Sequence, residues 1–313
     1  MKSGRSLERR DLVSRRFNRD DKMDPMDSGR EDSVKRASGT SVAVIGAGNW
    51  GGSLVAALKR ARLGPDEVIG RDWRRAKLDG RVIWICVPDA AIGAVATQIA
   101  ERSRRMRGEN GLRGQIVVHS SGALQAVVLE PVRRAGAQTA AVHPVMSFPT
   151  RQIVPLNGVM FGVEAREASV RRKLFALVRR LGGVPFAVKA ETKALYHAAG
   201  SLASPLLVST LVAAIETAEL AGLDAKTATA WVRALAEATV TNVFTRGPER
   251  SFSGPFARGD VATIHLHLQT LEEHPILADV YRSLARYAIG ALPVKNRKAL
   301  ENALARERTT ASS

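Results

Sequence analysis

Residues 42–51 read Val42-Ala43-Val44-Ile45-Gly46-Ala47-Gly48-Asn49-Trp50-Gly51. The four apolar residues predict a short buried strand, and the amphipathic pattern after the glycines predicts a helix. Gly46 permits the tight turn, Gly48 lets a pyrophosphate approach the backbone, and Gly51 lets the helix pack closely on the strand. Free N–H groups at the start of that helix favour an anion. The sequence therefore predicts a dinucleotide site, with a glycine-rich turn that binds no ligand as the alternative. The expected cofactor-binding residues of this turn are Gly46, Ala47, Gly48, Asn49, Trp50 and Gly51.

Length and composition indicate the class of protein. The chain has 313 residues, of which 45% are hydrophobic, which predicts about two globular domains. Its one cysteine, Cys86, excludes an intramolecular disulfide and fits a reducing cytoplasm, and we expect no signal peptide. The net charge of +17 is typical of nucleic-acid binders, but the arginines are scattered and only 5% of residues are aromatic. We therefore expect solvated helix faces and an anionic ligand rather than a nucleic-acid partner.

The chain divides into four segments by composition. Residues 1–39 mix charged and small residues without apolar periodicity, and we expect a disordered N-terminal extension there. Residues 40–165 alternate apolar strands with helices, which predicts a dinucleotide-binding Rossmann-like domain built on a parallel sheet. Residues 166–293 are expected to form an α-helical domain for substrate binding and dimerisation, and residues 294–313 a basic tail. The predicted fold class is an α/β Rossmann-like N-terminal domain followed by an all-α C-terminal domain.

The second crossover of the sheet is predicted to be truncated. Only ten residues lie between Arg71, which follows the second strand, and Val82, which opens the third. Arg71 occupies the place where an acidic residue would normally bind the ribose of NADH. Because arginine can pair with a 2′-phosphate, the sequence favours NADPH, whereas Asp72 leaves NADH open.

One long stretch has no charged residue. Ala194 to Ile215 contains no Asp, Glu, Lys or Arg, and its length would span a bilayer. Histidine, serine, threonine and proline make it too polar for that interpretation, so we expect a buried central helix and no membrane partner. Pro205 should kink this helix.

Polar residues follow three other apolar strands: Asp89 in Val87-Pro88-Asp89, Ser121, and His143. Ligands of parallel sheets bind at the carboxyl ends of strands. Val87, Pro88 and Asp89 are therefore expected near the cofactor. No metal site is expected, since His265 and His267 are two residues apart and would point to opposite sides of a helix.

Several motifs together resemble a known family, the proteins that join a Rossmann-like domain to the domain of unknown function DUF2520, within the broad 6-phosphogluconate-dehydrogenase-like group of reductases. The resemblance covers about residues 41–292. Its matching pieces are Gly46–Gly51, Val87-Pro88-Asp89, Ser121-Gly122-Ala123, His143-Pro144 with Ser147-Phe148, Tyr196-His197-Ala198-Ala199, and Gly254-Pro255 with Arg258-Gly259-Asp260, Thr263 and His267. Some proteins of this architecture are alternative NADPH-dependent ketopantoate reductases. The resemblance also implies dimerisation through the helical domain.

The resemblance and the chemistry of carbonyl reduction together suggest roles. Prephenate dehydrogenases have a similar serine and His-Pro pair, with the histidine touching the substrate oxygen. Histidine suits this because its ordinary pKa allows either charge state near neutrality. Arginine can grip a substrate carboxylate with two bonds; Asp260 then orients Arg258 or caps a helix. The expected catalytic residues are His143, Ser121 and His197. The expected substrate-binding residues are Ser147, Ser201, Arg258, Asp260 and His267.

The sequence departs from the family at one point. Related reductases use a lysine and an asparagine four residues apart, and the comparable pair here is Ser201 and Pro205. We therefore expect a cytoplasmic, homodimeric NADPH-dependent reductase of a small 2-oxo acid, ketopantoate being the best single substrate. The alternatives are a non-catalytic NADP(H)-binding regulatory protein and, more weakly, a basic nucleic-acid binder.

Overall fold

The computed structural model describes residues 41–70 and 76–305. The expected disordered extension, Arg71 and Asp72 lie outside the described residues. Two compact units meet in the sequence between Ser204 and Pro205.

The first unit is built on one seven-stranded sheet in the spatial order β2-β1-β3-β4-β5-β6-β7. Neighbouring strands are parallel except β5 and β6, which are antiparallel. The predicted parallel sheet is therefore confirmed, with an antiparallel step near one edge. The strands are β1 (Val42–Ile45), β2 (Glu67–Ile69), β3 (Val82–Ile85), β4 (Ile116–His119), β5 (Gln138–Pro144), β6 (Met160–Ala165) and β7 (Val184–Ala187).

Helices cover both faces of this sheet. On one face Leu54 and Leu58 of the first helix pack in a core cluster with Trp84 and Leu174. On the other face Ile83 packs with the apolar side of the second helix. The strands β1, β3 and β4 are buried along their whole length because both faces are covered. The helices of this unit are α1 (Asn49–Arg60), α2 (Asp89–Arg107), α3 (Glu130–Arg134), α4 (Ala168–Arg180) and α5 (Lys193–Ala203), with 3₁₀ turns at Ala126–Leu129 and Ala190–Thr192.

The connection from β2 to β3 is short, as predicted. Residues 76–81, its described part, form no helix. The carboxylate of Glu67 accepts from the backbone N–H groups of Lys77 and Leu78, at 2.9 and 3.1 Å, which fastens the connection to β2.

The predicted boundary at residues 165 and 166 differs from the division seen in the structure. β6 and β7 extend the sheet beyond β5, and α4 packs its apolar face into the core of the same unit. The sheet unit therefore continues to Ser204.

The second unit is entirely helical in its described part. Leu300 and Leu304 are buried together with Ile264 and Ile289. The basic tail expected at residues 294–313 is therefore wrong for Arg297–Ala305, which forms a packed helix because its apolar residues recur on one face. The helices are α6 (Pro205–Leu220), α7 (Ala225–Arg246), α8 (Pro248–Ser251), α9 (Gly254–Arg258), α10 (Val261–Leu271), α11 (Pro275–Ala291) and α12 (Arg297–Ala305).

The uncharged stretch is neither continuous nor buried. α5 ends at Ala203 and α6 begins at Pro205, so the proline interrupts the helix as expected. The run Ala190–Leu220 is long and apolar enough to cross a membrane by length and composition, and none of its most apolar window is buried within the chain. The expected buried central helix is therefore wrong, and Leu202, Leu206 and Val208 are exposed.

Candidate functional site

The glycine turn has the geometry that an anion site needs. Gly46 has a positive φ of 93°, and a Cβ on Gly51 would lie 1.9 Å from the carbonyl oxygen of Gly46. Gly48 has open space where its Cβ would be, with nothing within 4 Å. No side chain among the described residues caps the N-terminus of α1. The free N–H groups of the helix therefore face a space that can accept a phosphate.

The side chains of Asn49 and Trp50 in this turn have structural roles. Asn49 donates from Nδ2 to the carbonyl oxygen of Phe148 at 2.8 Å. Trp50 donates from Nε1 to Ser120 Oγ at 2.7 Å and packs against Phe148, with ring centroids 5.1 Å apart. Asn49 and Trp50 can therefore offer a ligand their backbone N–H groups, while their side chains fasten the turn to the chain after β4 and β5.

The hydroxyl of Ser121, an expected catalytic residue, is bonded to the start of α2 and to its own loop. Its hydroxyl donates to Asp89 Oδ2 at 2.6 Å and accepts from the backbone N–H of Leu124 at 2.9 Å. Asp89 is the first residue of α2, directly after Pro88, and Val87 packs against the core. A carboxylate at a helix N-terminus is favoured by the helix dipole. Ser121 therefore ties the loop after β4 to the start of α2.

His143 lies in a cluster with Tyr196 and His197 of α5. Nδ1 of His143 and the hydroxyl oxygen of Tyr196 are 2.8 Å apart. The His143 ring centroid lies 5.7 Å from those of Tyr196 and His197, in edge-on geometry. Gly122 packs directly against both imidazole rings, since a Cβ there would lie 2.8 Å from His143 Nε2 and 2.3 Å from His197 Cδ2. The structure therefore brings two of the three expected catalytic residues together.

The protonation states in this cluster follow from burial. Burial, and then electrostatic repulsion from His197 and Lys193, lower the pKa of His143 to about 4. Burial raises the pKa of Tyr196 to about 12. The phenol is therefore protonated at neutral pH and donates to Nδ1, which leaves the proton of the neutral imidazole on Nε2. The expectation that His143 has an ordinary pKa is thus wrong, because its side chain is largely out of water.

His119, at the end of β4, has a structural role. Its Nδ1 accepts from the backbone N–H of Ser121 at 3.1 Å, and Nε2 lies 3.3 Å from the carbonyl oxygen of Gln125. Burial is the main reason that its pKa falls to about 4. The neutral ring therefore holds the loop that presents Gly122.

The two serines expected at the substrate bond locally. Ser147 Oγ lies 3.1 Å from Ser204 Oγ. Ser201 Oγ donates to the carbonyl oxygen of His197 one turn earlier, at 3.3 Å. Both hydroxyls thus have partners within the first unit.

Arg258, Asp260 and His267 belong to the helical unit. Arg258 ends α9, and Asp260 caps α10 by accepting from the backbone N–H of Thr263 at 3.1 Å. His267 Nδ1 lies 2.8 Å from the hydroxyl oxygen of Tyr281. The capping role considered for Asp260 is therefore confirmed, and the substrate clamp stays a prediction.

Sequence reasoning missed three residues around His143: Tyr196, Lys193 and Glu164. Tyr196 was quoted as part of a motif without a role, although its place next to His197 was a usable signal. Lys193 and Glu164 form an ion pair across 29 residues of sequence, which local patterns do not reveal. Among the described residues, no group of three or more His, Cys, Asp or Glu is arranged to hold a metal ion.

Family models match most of the region where the resemblance lies. Residues 73–144 match the Rossmann-like domain, and residues 159–288 match the domain of unknown function (DUF2520). The chain carries a Rossmann-like domain and a DUF2520 domain. The DUF2520 match begins at the start of β6, so this domain includes the edge of the sheet as well as most of the helices. No match to a curated protein was found.

Solved structures share the fold at low sequence identity. A provisionally assigned NADP oxidoreductase from Bacteroides fragilis has a TM-score of 0.62 at 19% identity, over 80% of this chain and 97% of that one. A protein from Thermotoga maritima has a TM-score of 0.59 at 20% identity, over 83% and 98%. An imine reductase from Myxococcus stipitatus in complex with NADP⁺ has a TM-score of 0.54 at 18% identity, over 84% and 99%. The Rossmann-like fold joined to a helical domain is therefore confirmed.

Proposed function

We propose that this Rossmann–DUF2520 protein is an NADPH-dependent reductase of a carbonyl group in a small 2-oxo acid, with ketopantoate as the first substrate to test. One observation carries the proposal. A neutral imidazole, His143, is held by Tyr196 near the carboxyl end of β5, in the unit that carries the uncapped glycine turn.

The glycine turn fits NADPH. Gly48 leaves open space beside the free N–H groups of α1, which suits a pyrophosphate. The fold neighbours from Bacteroides fragilis and Myxococcus stipitatus are described with NADP, which supports the same cofactor here. Arg71 and the neighbouring Asp72 remain our predicted determinants of the choice between NADPH and NADH.

His143 acts on the oxygen of the substrate in this proposal. NADPH supplies the hydride when it is bound. The Nε2–H of His143 donates a hydrogen bond to the carbonyl oxygen, and this bond strengthens as negative charge develops there. The reduced oxygen then takes its proton from water. Tyr196 fixes the tautomer and the orientation of the ring, while Gly122 keeps the space next to Nε2 free of a side chain.

The clamp and the partner are further parts of the proposal. Arg258 binds the substrate carboxylate, with Asp260 and His267 beside it in the sequence motif. A second copy of the chain covers the exposed apolar faces of α6 and α7, next to a groove of about 570 Å³ whose lining includes Trp231 and Leu266. An apolar surface of this kind favours a second protein chain over a nucleic-acid partner. A cytoplasmic location and the lack of a membrane partner are further parts of the proposal.

The second candidate function is a non-catalytic NADP(H)-binding regulatory protein. The low pKa of His143 favours it, because this imidazole is a poor proton donor at neutral pH. Pro205 in place of the family asparagine favours it as well.

Turnover separates the two candidates. We would mix the full chain with NADPH and a panel of 2-oxo acids and cyclic imines, and follow the nicotinamide absorbance. A reductase oxidises NADPH with at least one compound. Tight NADPH binding without oxidation across the panel would favour the regulatory protein.

A further inference from the structure

A buried ion pair lies next to the His143 cluster and has no part in the proposed chemistry. Lys193 Nζ donates to Glu164 Oε2 at 2.9 Å, and the two side chains are only 2% and 9% exposed. Taking two charges out of water costs several kcal/mol per ion, and their attraction often does no more than compensate. A hydrophobic pair would fill the same space without this cost, so stability alone is a weak reason for the pair.

Glu164 connects three elements that form the walls of the cluster. Its carboxylate belongs to β6 and accepts from the backbone N–H of Ala126, at 2.9 and 3.1 Å to its two oxygens. Ala126 follows the loop that presents Gly122. The same carboxylate holds Lys193 in the first turn of α5. A single side chain therefore sets the positions of β6, the loop after β4 and α5.

The register of α5 on the sheet transmits this constraint to His143. Glu164 pairs with Ala141, and Gly162, two residues earlier on the same face of β6, pairs with His143. A Cβ on Gly162 would lie 2.6 Å from the hydroxyl oxygen of Tyr196. Lys193 and Tyr196 are three residues apart and thus neighbours on one side of α5. The pair Lys193–Glu164 and the contact of Tyr196 with Gly162 are therefore successive contacts between the same helix and the same strand.

From this geometry we propose that the Lys193–Glu164 pair is a positioning device. It fixes α5 on β6 so that the Tyr196 hydroxyl meets Nδ1 of His143, and it keeps a buried positive charge near that ring. The inference rests on the proposed function for its catalytic consequence, whereas its structural consequence holds in the free protein. Lys193 touches neither the reacting atoms nor the ring of His143 in this proposal.

The electrostatic part has independent support. The titratable groups that act on His143 are Tyr196, His197 and Lys193 from α5 and Asp89 from α2. The charge of Lys193 lowers the pKa of His143, and that of Asp89 raises it. Removal of the lysine charge should therefore move the pKa of His143 upward.

The test is Lys193→Met with Lys189→Met as the matched control, because Lys189 is an exposed lysine four residues earlier in the chain. We would follow the histidine ring resonances of the full chain by NMR across a pH series, assign His143 with His143→Asn, and measure kcat and the Kd of NADPH. We expect Lys193→Met to raise the pKa of His143 and to lower kcat by about 10- to 100-fold. The Kd of NADPH should stay within about twofold. Lys189→Met should leave all three unchanged.

Loss of one member of a buried pair can unfold a protein, so a second variant is needed. Lys193→Met combined with Glu164→Gln removes both charges, and the introduced amide oxygen can still accept from Ala126. The inference predicts a folded double variant with a raised pKa of His143 and a lowered kcat. A folded single or double variant with wild-type kcat and an unchanged His143 titration would overturn it. If the wild type oxidises no NADPH, the proposed function fails, and the His143 titration still decides the positioning role.

Discussion

Gly48 and Gly51, three residues apart in the glycine turn, should respond oppositely to substitution by alanine. A Cβ on Gly51 would lie 1.9 Å from the backbone oxygen of Gly46, a separation that real atoms do not adopt. A Cβ on Gly48 would meet nothing within 4 Å. Gly48 also has φ −74° and ψ −157°, a backbone conformation that alanine adopts without strain.

The magnitudes follow from these contacts. Gly48→Ala should leave stability unchanged or raise it by about 0.4–1 kcal/mol, because alanine restricts the unfolded chain. The added methyl group occupies the space proposed for the pyrophosphate, and overpacking of about 1–3 kcal/mol corresponds to about 5- to 150-fold weaker binding. Gly51→Ala should lose about 3 kcal/mol or more of stability, because the clash is with backbone rather than with a movable side chain.

The assay pairs thermal unfolding with a titration of NADPH followed by nicotinamide fluorescence. We expect Gly48→Ala to melt at or above the wild-type temperature and to bind NADPH weakly, and Gly51→Ala to melt at a lower temperature. Wild-type affinity in a folded Gly48→Ala variant would refute the argument that the pyrophosphate lies on this turn.

Five further predictions concern charged groups and the placement of protons. His143→Asn should lower kcat by about 10²–10³ with nearly unchanged NADPH affinity, because the hydrogen bond to the developing negative charge is lost; a loss under threefold in steady-state kinetics would exclude the role. Tyr196→Phe should lower kcat as well, because the ring of His143 loses the bond that orients it. The free energy of unfolding should fall by about 3 kcal/mol through His119 as the pH drops from about 6.5 to 4, because the buried ring stays neutral down to a pKa of about 4 whereas the unfolded chain takes up the proton earlier. Denaturant titrations of the wild type and of His119→Gln across this pH range measure the effect, and a free energy of unfolding that does not change with pH in the wild type would contradict it. Arg71→Ala should weaken the binding of NADPH more than that of NADH, and equal losses of affinity for the two cofactors would contradict the role of Arg71. Arg258→Lys should raise the substrate KM because the planar fork of the guanidinium is lost, and an unchanged KM would contradict the role of Arg258.

The sequence predicted the parts of the fold that depend on local pattern. The strand–glycine–helix unit follows from Val42–Gly51, since Gly46 is needed for its positive φ and Gly51 for its close approach to the backbone. The polar residues at the carboxyl ends of β3, β4 and β5 were correctly expected to lie at the same end of the sheet, because these parallel strands share their direction.

Long-range pairing explains what the sequence did not reveal. β6, Met160–Ala165, contains a glycine and a glutamate, so it lacks the apolar run of the central strands. Its glutamate can be buried because Lys193 and the backbone N–H of Ala126 bind the carboxylate from other elements. The uncharged stretch was interpreted as buried because the absence of charged residues indicates that its surface is covered, but not whether the cover belongs to the same chain.

The measurement that tests the central claim most directly is NADPH oxidation by the wild type and by His143→Asn, with binding measured in the same samples. The account predicts that both proteins bind NADPH with similar affinity, that the wild type reduces at least one small oxo acid, and that His143→Asn does so about 10²–10³ times more slowly. Equal rates for the two proteins, or no oxidation by a wild type that binds NADPH, would contradict it.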